Sequence, residues 1–446
     1  MALDKLKDTR HVVIFTTAPA GLGHLRVADA LREGFPQDVA SFILGASDPT
    51  LTYLHRLSSL NPFFRYLQYL VQYHPAIEQI FTNFYRSYLR NNPEETETQL
   101  LTLLNTRQPP PTTVVIVATH FGLAHEIAAL KPVIAAKMKL KIQLYVVVTD
   151  DTFHKIWAVD GADTIVVPSQ KTKQLLSAYF TQKGFKKPEI LVNPYPISPK
   201  LIKPSPQILE QRRQQLDPQQ KVPTHVIIPV SGAAVQLTNL EIIIKGLTQT
   251  SSKSFHPIVV SKQAPFTKSF LQHLKTSKNT TLFIGMTDRE TVDLYEEVFA
   301  QKPLPALEIV KPSEQAFKAL FTPNEVGGVI LLFTEPVGRQ EVDNQEFLRR
   351  HGLIPTQNES VLLEKNLLDP SPAIDEELLA KAKKWRGLIL PKNPQAAVVY
   401  MQRCRALGLF SQMLRFTQPE DSELRSDGVA RFWQIVNQRL PSLPNK

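Results

Sequence analysis

Short apolar runs rich in β-branched residues alternate along this chain with segments of helical spacing. Val12–Thr16 is followed by Val27, Ala30 and Leu31 at helical intervals. Val39–Leu44, Val114–Ala118, Ile142–Thr149, Thr164–Val167 and Ile190–Val192 continue the alternation. Runs that lack a polar face predict strands buried on both sides, and therefore a parallel sheet with helices on each face. Prolines crowd 193–206 and interrupt the pattern, as a hinge or crossing strand does. A second set opens at Thr224–Val230 and runs through Pro257–Ser261, Thr281–Ile284, Leu307–Val310 and Val329–Phe333. The pattern predicts two doubly wound α/β domains over 1–200 and 221–420. A helical tail follows, with Trp385, Tyr400, Phe416 and Trp433 as packing residues. The two halves share pattern but no internal sequence repeat.

Composition narrows the class. A chain of 446 residues exceeds one ordinary core, and 43% hydrophobic with 21% charged residues is the balance of a soluble globular protein. No apolar run approaches the roughly eighteen residues of a spanning helix. The charged opening stretch 1–10 leads straight into a strand and does not read as a secretory signal. The single cysteine, Cys404, excludes a disulfide framework and a cysteine zinc site. Together these predict a cytoplasmic location. A net charge of +10 favours anionic partners. Without a dense Lys/Arg block or a recognition-module pattern, nucleic acid is not the expected one. A nucleotide or an anionic membrane surface remains.

Three places carry candidate chemistry. Gly21, Gly23 and His24 stand where the first strand turns into a helix, a point that presents backbone N–H groups and the positive dipole end. A neutral imidazole there serves as a base or as a cap. Asp150 and Asp151 end another apolar strand, and Thr119–His120 a third. Carboxylates at such an end orient a substrate, act as base, or cap the turn at Thr152–Phe153. Between 51 and 90, aromatics including Phe63, Phe64, Phe84 and Tyr88 interleave with Arg56, Arg65, Arg86 and Arg90, and Glu78 is the only acid. That mixture suits an in-plane helix at a bilayer headgroup boundary, or a packed helical hairpin over the first sheet.

Further segments add order to these. Thr17 to His24 is followed by Val146–His154 with Trp157, then Val159–Ser169, Asn193–Pro199, and Gly338–Asn344 with Phe347, Leu348 and Gly352. This series, spanning about Val12 to Gly352, resembles the family of monogalactosyldiacylglycerol synthases, bacterial diglucosyl-diacylglycerol synthases and the peptidoglycan N-acetylglucosaminyltransferase. The resemblance implies a GT-B fold, two Rossmann-like domains facing across a cleft, with the last helix (421–446) returning to the first domain. It implies an inverting, metal-independent hexosyltransferase that moves a sugar from a nucleotide diphosphate, with UDP expected, to a lipid or lipid-like acceptor. The enzyme would sit peripherally on the inner face of the cell membrane.

On that reading His24 is the base, with Asp150 or Asp151 as rival. Gly21, Gly23, His120, His154 and Trp157, with Phe63, Phe64 and Arg65, face acceptor and membrane. Gly232, Gly285, Met286, Lys311, Ser313, Gln340, Glu341 and Asn344 hold the donor. No cofactor beyond the sugar nucleotide is expected, and no Asp-x-Asp metal pair is evident. Two departures keep alternatives open. Only Gly232 remains of a triple-glycine loop, and Lys318 stands where relatives carry a ribose-binding glutamate. Lys318 is expected to meet a phosphate or to lie on the solvent face, and a glutamate in its place to tighten UDP binding. A nucleotide-sugar epimerase and a binding protein that has lost turnover are the other readings.

Overall fold

The central strands are buried on both faces and their ends determine where polar groups can stand. The computed structural model describes residues 3–18, 22–45, 70–230, 234, 236–249, 254–277, 279–333 and 338–441. Gly21, Phe63, Phe64, Arg65 and Gly232 lie outside the described residues. The chain divides into two units, residues 1–199 with 421–446, and residues 200–420.

In the first unit, β1 (His11–Thr17), β2 (Ser41–Gly45), β3 (Thr113–Ala118), β4 (Lys141–Val147), β5 (Thr164–Val167) and β6 (Glu189–Val192) form one parallel sheet in the order β2-β1-β3-β4-β5-β6. Its helices are α1 (Leu22–Glu33), α2 (Pro75–Asn91), α3 (Glu94–Asn105), α4 (Phe121–Met138) and α5 (Gln170–Lys183). Every residue of β1 and β3 is buried, which is why neither shows a polar alternation. Helix α5 shows the local rules plainly. The Ser169 hydroxyl accepts the Thr172 N–H at 3.2 Å to start it, and Gly184 at φ +64° ends it.

The C-terminal helix Gly428–Arg439 packs within this unit. The Trp433 indole N–H donates to the Leu31 carbonyl at 2.7 Å, and its ring lies against Phe15, Phe35 and Phe432. A Cβ at Gly428 would stand 2.1 Å from the Pro194 carbonyl oxygen, so only glycine lets this helix start so close to the proline-rich segment.

The second unit contains α6 (Pro206–Leu216), β7 (Thr224–Pro229), α7 (Leu237–Thr248), β8 (Phe255–Lys262), α8 (Lys268–Lys275), β9 (Thr281–Gly285), α9 (Asp288–Val298), β10 (Leu307–Val310), β11 (Val329–Leu332), α10 (Arg339–Arg350), then α11 (Gln357–Leu368), α12 (Glu376–Lys381), β12 (Gly387–Ile389), α13 (Pro394–Ala406) and α14 (Leu409–Met413). All pairs are again parallel, in the order β12-β11-β10-β7-β8-β9. The strand β12 has no counterpart in the hydrophobic pattern, because three residues beginning with glycine are too short to show one. Trp385, Tyr400 and Phe416 are buried in this unit.

Two histidines are built in neutral. His125 in α4 is fully buried with Nε2 2.8 Å from the Ile156 carbonyl, and burial pushes its pKa down to about 3. His225 in β7 is pushed down to about 4 by burial and by neighbouring His256. In the unfolded chain both titrate near 6.5. Between that value and the folded ones the unfolded state binds more protons, so stability is intact above about pH 6.5 and falls as pH drops toward 4. Acid titration of the unfolding free energy should show this slope. His125→Gln, whose amide can still donate to Ile156, should make it shallower; an unchanged slope would remove His125 as a cause.

Candidate functional site

The carboxyl ends of β1, β3 and β4 converge on His24, in the first turn of α1. Its ring Nδ1 lies 2.7 Å from the Thr119 carbonyl oxygen. A carbonyl only accepts, so Nδ1 carries the hydrogen and, in the neutral ring, Nε2 carries the lone pair. The Thr149 hydroxyl oxygen stands 3.2 Å from the same Nδ1. The Thr119 hydroxyl donates back to the His24 carbonyl at 2.9 Å, and Tyr195 Oη donates to the Thr149 carbonyl at 2.9 Å. Thr119, Thr149 and Tyr195 therefore set the orientation and tautomer of the ring. Sequence reasoning missed their role, since a threonine past a strand end is ordinary and nothing marks the pairing.

An aromatic cluster closes around this ring. His120 meets His24 edge to face at 5.1 Å and stacks on Phe121 at 4.6 Å. Burial, and secondarily His24, hold the His120 pKa well below the usual histidine value. It is neutral and does not open to solvent as an acceptor contact would. Trp157 is 4% exposed, with its ring 6.2 Å from His24 and 5.6 Å from Phe121. It fills the core, and does not face an acceptor as the resemblance implied.

The two aspartates separate. Asp150 is half-buried beside Thr149, whose hydroxyl lies 3.5 Å from its Oδ2. Asp151 is 1% exposed and accepts from the hydroxyls of Ser169 and Thr172, bracing the start of α5. A carboxylate so enclosed cannot reach an acceptor proton, so Asp151 leaves the candidates for base.

His154 turns toward Glu78 of α2, with Nδ1 3.8 Å from Oε1. Burial by itself would raise the Glu78 pKa, but His154, the Lys155 N–H at 3.0 Å and the Lys155 ammonium at 3.3 Å hold it below the usual range. The lone acid of the aromatic segment is thus the anchor of α2. Arg86 donates to the Lys155 carbonyl and lies over Phe185, and Arg90 donates to the Asp160 carbonyl. These two arginines turn into the protein, as the packed alternative for this segment requires and the headgroup one does not. The outer face of α2 is apolar: Ile80 and Phe84 are each 72% exposed, with Phe81 and Tyr88 beside them.

In the second unit Lys311, just past β10, pairs with Glu341 in the first turn of α10. Buried Asn344 donates to the Pro312 carbonyl at 3.3 Å, fastening α10 to the end of β10. Gln340 is half-buried next to them, and Ser313 precedes the 3-10 turn Glu314–Leu320 without capping it through its side chain. Gly285 is fixed by packing, since a Cβ there would stand 2.5 Å from the Thr291 hydroxyl. The Met286 N–H, in the set expected to hold the donor, donates to Glu290 at 2.7 Å. Among the described residues no group of three or more His, Cys, Asp or Glu is placed to hold a metal ion.

No family model matches the chain, and no curated protein matches it. Solved structures do. A UDP-GlcNAc 2-epimerase from Neisseria meningitidis bound to UDP-GlcNAc gives a TM-score of 0.47 at 10% identity, over 96% of this chain and 100% of that one. MurG from Acinetobacter baumannii gives 0.43 at 12% identity over 96% and 99%. A UDP-glucosyltransferase from Polygonum tinctorium gives 0.41 at 11% identity over 95% and 98%. Likeness at this level decides nothing about chemistry, and the fold rests on the two parallel sheets themselves.

Lys318 overturns both expectations for it. It is 4% exposed and pairs with fully buried Glu308 of β10, over the ring of Tyr295. The Tyr295 hydroxyl and the Gly328 N–H donate to the same carboxylate at 2.8 and 2.9 Å. Lys318→Met would leave that carboxylate without its cation and should cost about 3–5 kcal/mol. Lys318→Glu sets two carboxylates together and should destabilise at least as much, rather than tighten nucleotide binding. Urea unfolding is the measurement, and Glu308→Gln combined with Lys318→Met should recover much of the loss. Single variants that unfold at the wild-type midpoint would show that the pair does not matter.

Proposed function

We propose that the protein transfers a hexose from a nucleotide diphosphate, UDP the expected one, to a hydroxyl of a lipid-like acceptor. The observation that carries this reading is the tautomer of His24. Its Nδ1–H is committed to Thr119, so Nε2 is the nitrogen that takes a proton, at the carboxyl end of a parallel sheet where ligands of such sheets bind. In the reaction His24 removes the acceptor proton, the acceptor oxygen bonds to the anomeric carbon, and the diphosphate leaves with the bonding pair. Inversion follows from this single displacement. Asp150 is the remaining carboxylate rival. The donor is assigned to the second unit, with the α10 N-terminus and Lys311 facing the diphosphate charge, and no metal is invoked.

The ordered motifs of the sequence support this chemistry. A second reading, a sugar-nucleotide binding protein without turnover, is favoured by one observation: Lys311 and Glu341 already satisfy each other, and a ligand must part them. Epimerisation on the nucleotide sugar would use the same donor residues without an acceptor.

Incubating the protein with UDP-hexoses and a membrane lipid extract, and measuring UDP release and glycolipid, separates these. His24→Ala should lower transfer by roughly a hundredfold or more while UDP affinity, read by calorimetry, changes little. Near-normal turnover in that variant would shift the base to Asp150. UDP binding without release of product favours the second reading, and a new hexose on UDP without acceptor the third.

The acceptor class suggests attachment to a lipid surface through the outer face of α2. No helix among the described residues is long and apolar enough to cross a membrane. Ile80, Phe81, Phe84 and Tyr88 form an exposed stripe, and full burial of one such side chain contributes about 1.5–3 kcal/mol. Ile80→Ser with Phe84→Ser should reduce co-sedimentation with phosphatidylglycerol-containing vesicles more than tenfold while circular dichroism stays unchanged. Equal sedimentation would place any membrane contact elsewhere.

A further inference from the structure

The second sheet ends at β9, and against that edge strand lies a cavity of about 540 Å³ that shares only Met286 with the residues assigned above to the donor. Helix α8 forms one wall and the β9 end the other. The floor is apolar, built from Ala264, Pro265, Leu271, Ile284 and Met286. Met286 is 60% exposed, an unusual amount for a methionine in a concave place. The rim is cationic and amide-bearing. Lys268, Gln272 and Lys275 line it from one face of α8, and Gln263 from the end of β8. Lys268 and Lys275 are seven residues apart, about 10 Å along the helix, and neither makes an ion pair among the described residues.

Among the described residues no carboxylate lines the cavity. The two acids at the start of the neighbouring α9 are engaged: Asp288 pairs with Lys262 at 2.9 Å, and Glu290 takes the Met286 N–H. The volume lies within the range of small-molecule pockets. It is also separate from the Lys311–Glu341 cluster. That cluster stands at the end of β10, three strands from β9 and therefore about 14 Å across the sheet.

We propose that this cavity is a binding site for a small amphipathic anion, an apolar body that carries a phosphate or carboxylate. The floor gains from covering exposed Met286 and half-buried Ile284, and the anionic head meets two lysines that no described lining residue offsets. An uncharged apolar ligand leaves the lysines unmatched, and an inorganic anion leaves the floor wet. Both parts of the ligand are required.

Calorimetry with dodecyl phosphate and dodecanoate, each kept below its micelle concentration, tests this on the full chain. Both should bind at one site, and Lys268→Glu with Lys275→Glu should weaken them at least tenfold without moving the urea midpoint. The Ile80→Ser, Phe84→Ser variant should bind them as the wild type does, which separates this cavity from the α2 stripe. If only dodecyl phosphate binds, the head is a phosphate; if only dodecanoate, a carboxylate; both outcomes support the site. The proposal falls if neither binds at millimolar concentration, or if the double lysine variant binds undiminished. It also falls if dodecanol or inorganic phosphate alone binds as tightly, or if UDP displaces the probe and makes the cavity part of a nucleotide site.

Discussion

Burying a strand on both faces makes an unmatched charge there costly, and this constraint organises both units. Where a charge does enter a strand, the surroundings are built to match it. Glu308 of β10 gathers a lysine, a tyrosine hydroxyl and a backbone N–H. The neighbouring buried guanidinium groups of Arg212 and Arg386 are satisfied differently. They donate to main-chain carbonyls between 321 and 328, such as Pro323 at 2.7 Å and Phe321 at 2.6 Å. Burial lowers their pKa values to about 9 and about 10, leaving both charged at neutral pH. They fasten the loop that precedes β11, so the interior of this unit spends its charge on architecture.

The same constraint pushes chemistry to the strand ends, with a different result in each unit. In the first, the groups past β3 and β4 fix one imidazole in one tautomer before any ligand arrives. The bond to the Thr119 carbonyl fixes which ring nitrogen carries the hydrogen in the neutral ring. In the second, Lys311 and Glu341 neutralise each other across the gap between β10 and α10. A ligand that used either group would have to replace an existing charged contact, and its net gain would be the difference between the two. The first unit is poised; the second is self-satisfied.

How much of this was legible follows from what each feature rests on. Eleven apolar runs marked strands that the structure contains, since a buried parallel strand writes its full length into hydrophobicity. The three-residue β12 escaped for want of length. His24 was legible because glycines and a strand end surround it. Its partners were not, because Thr119 and Thr149 lie far apart in sequence and only sheet order brings β3 and β4 together. Asp150 and Asp151 are adjacent letters with opposite surroundings, because the chain bends just past β4 and sends one toward Thr149 and the other toward α5. Lys318 was placed by resemblance alone. The signal that would have corrected it was Glu308, a carboxylate inside an apolar strand, which demands a cation nearby.

Helix α2 shows how composition misleads when faces are not separated. Aromatics and arginines within one short segment suggest that both kinds of residue act together at a surface. In three dimensions they part: Glu78, Thr82, Arg86 and Leu89 are buried, while Ile80, Phe81, Phe84 and Tyr88 are exposed. This reverses the usual amphipathic helix, whose apolar stripe faces its own core. The inward charges are matched by Lys155, His154 and main-chain carbonyls, so polar contacts hold the helix alongside Leu89 and Tyr85. Scattered exposed apolar residues are ordinary, but four within nine positions on one face form a contiguous patch. Attachment through it would draw on apolar area rather than on arginine, and the net positive charge of the chain would act only by bringing the protein to an anionic surface.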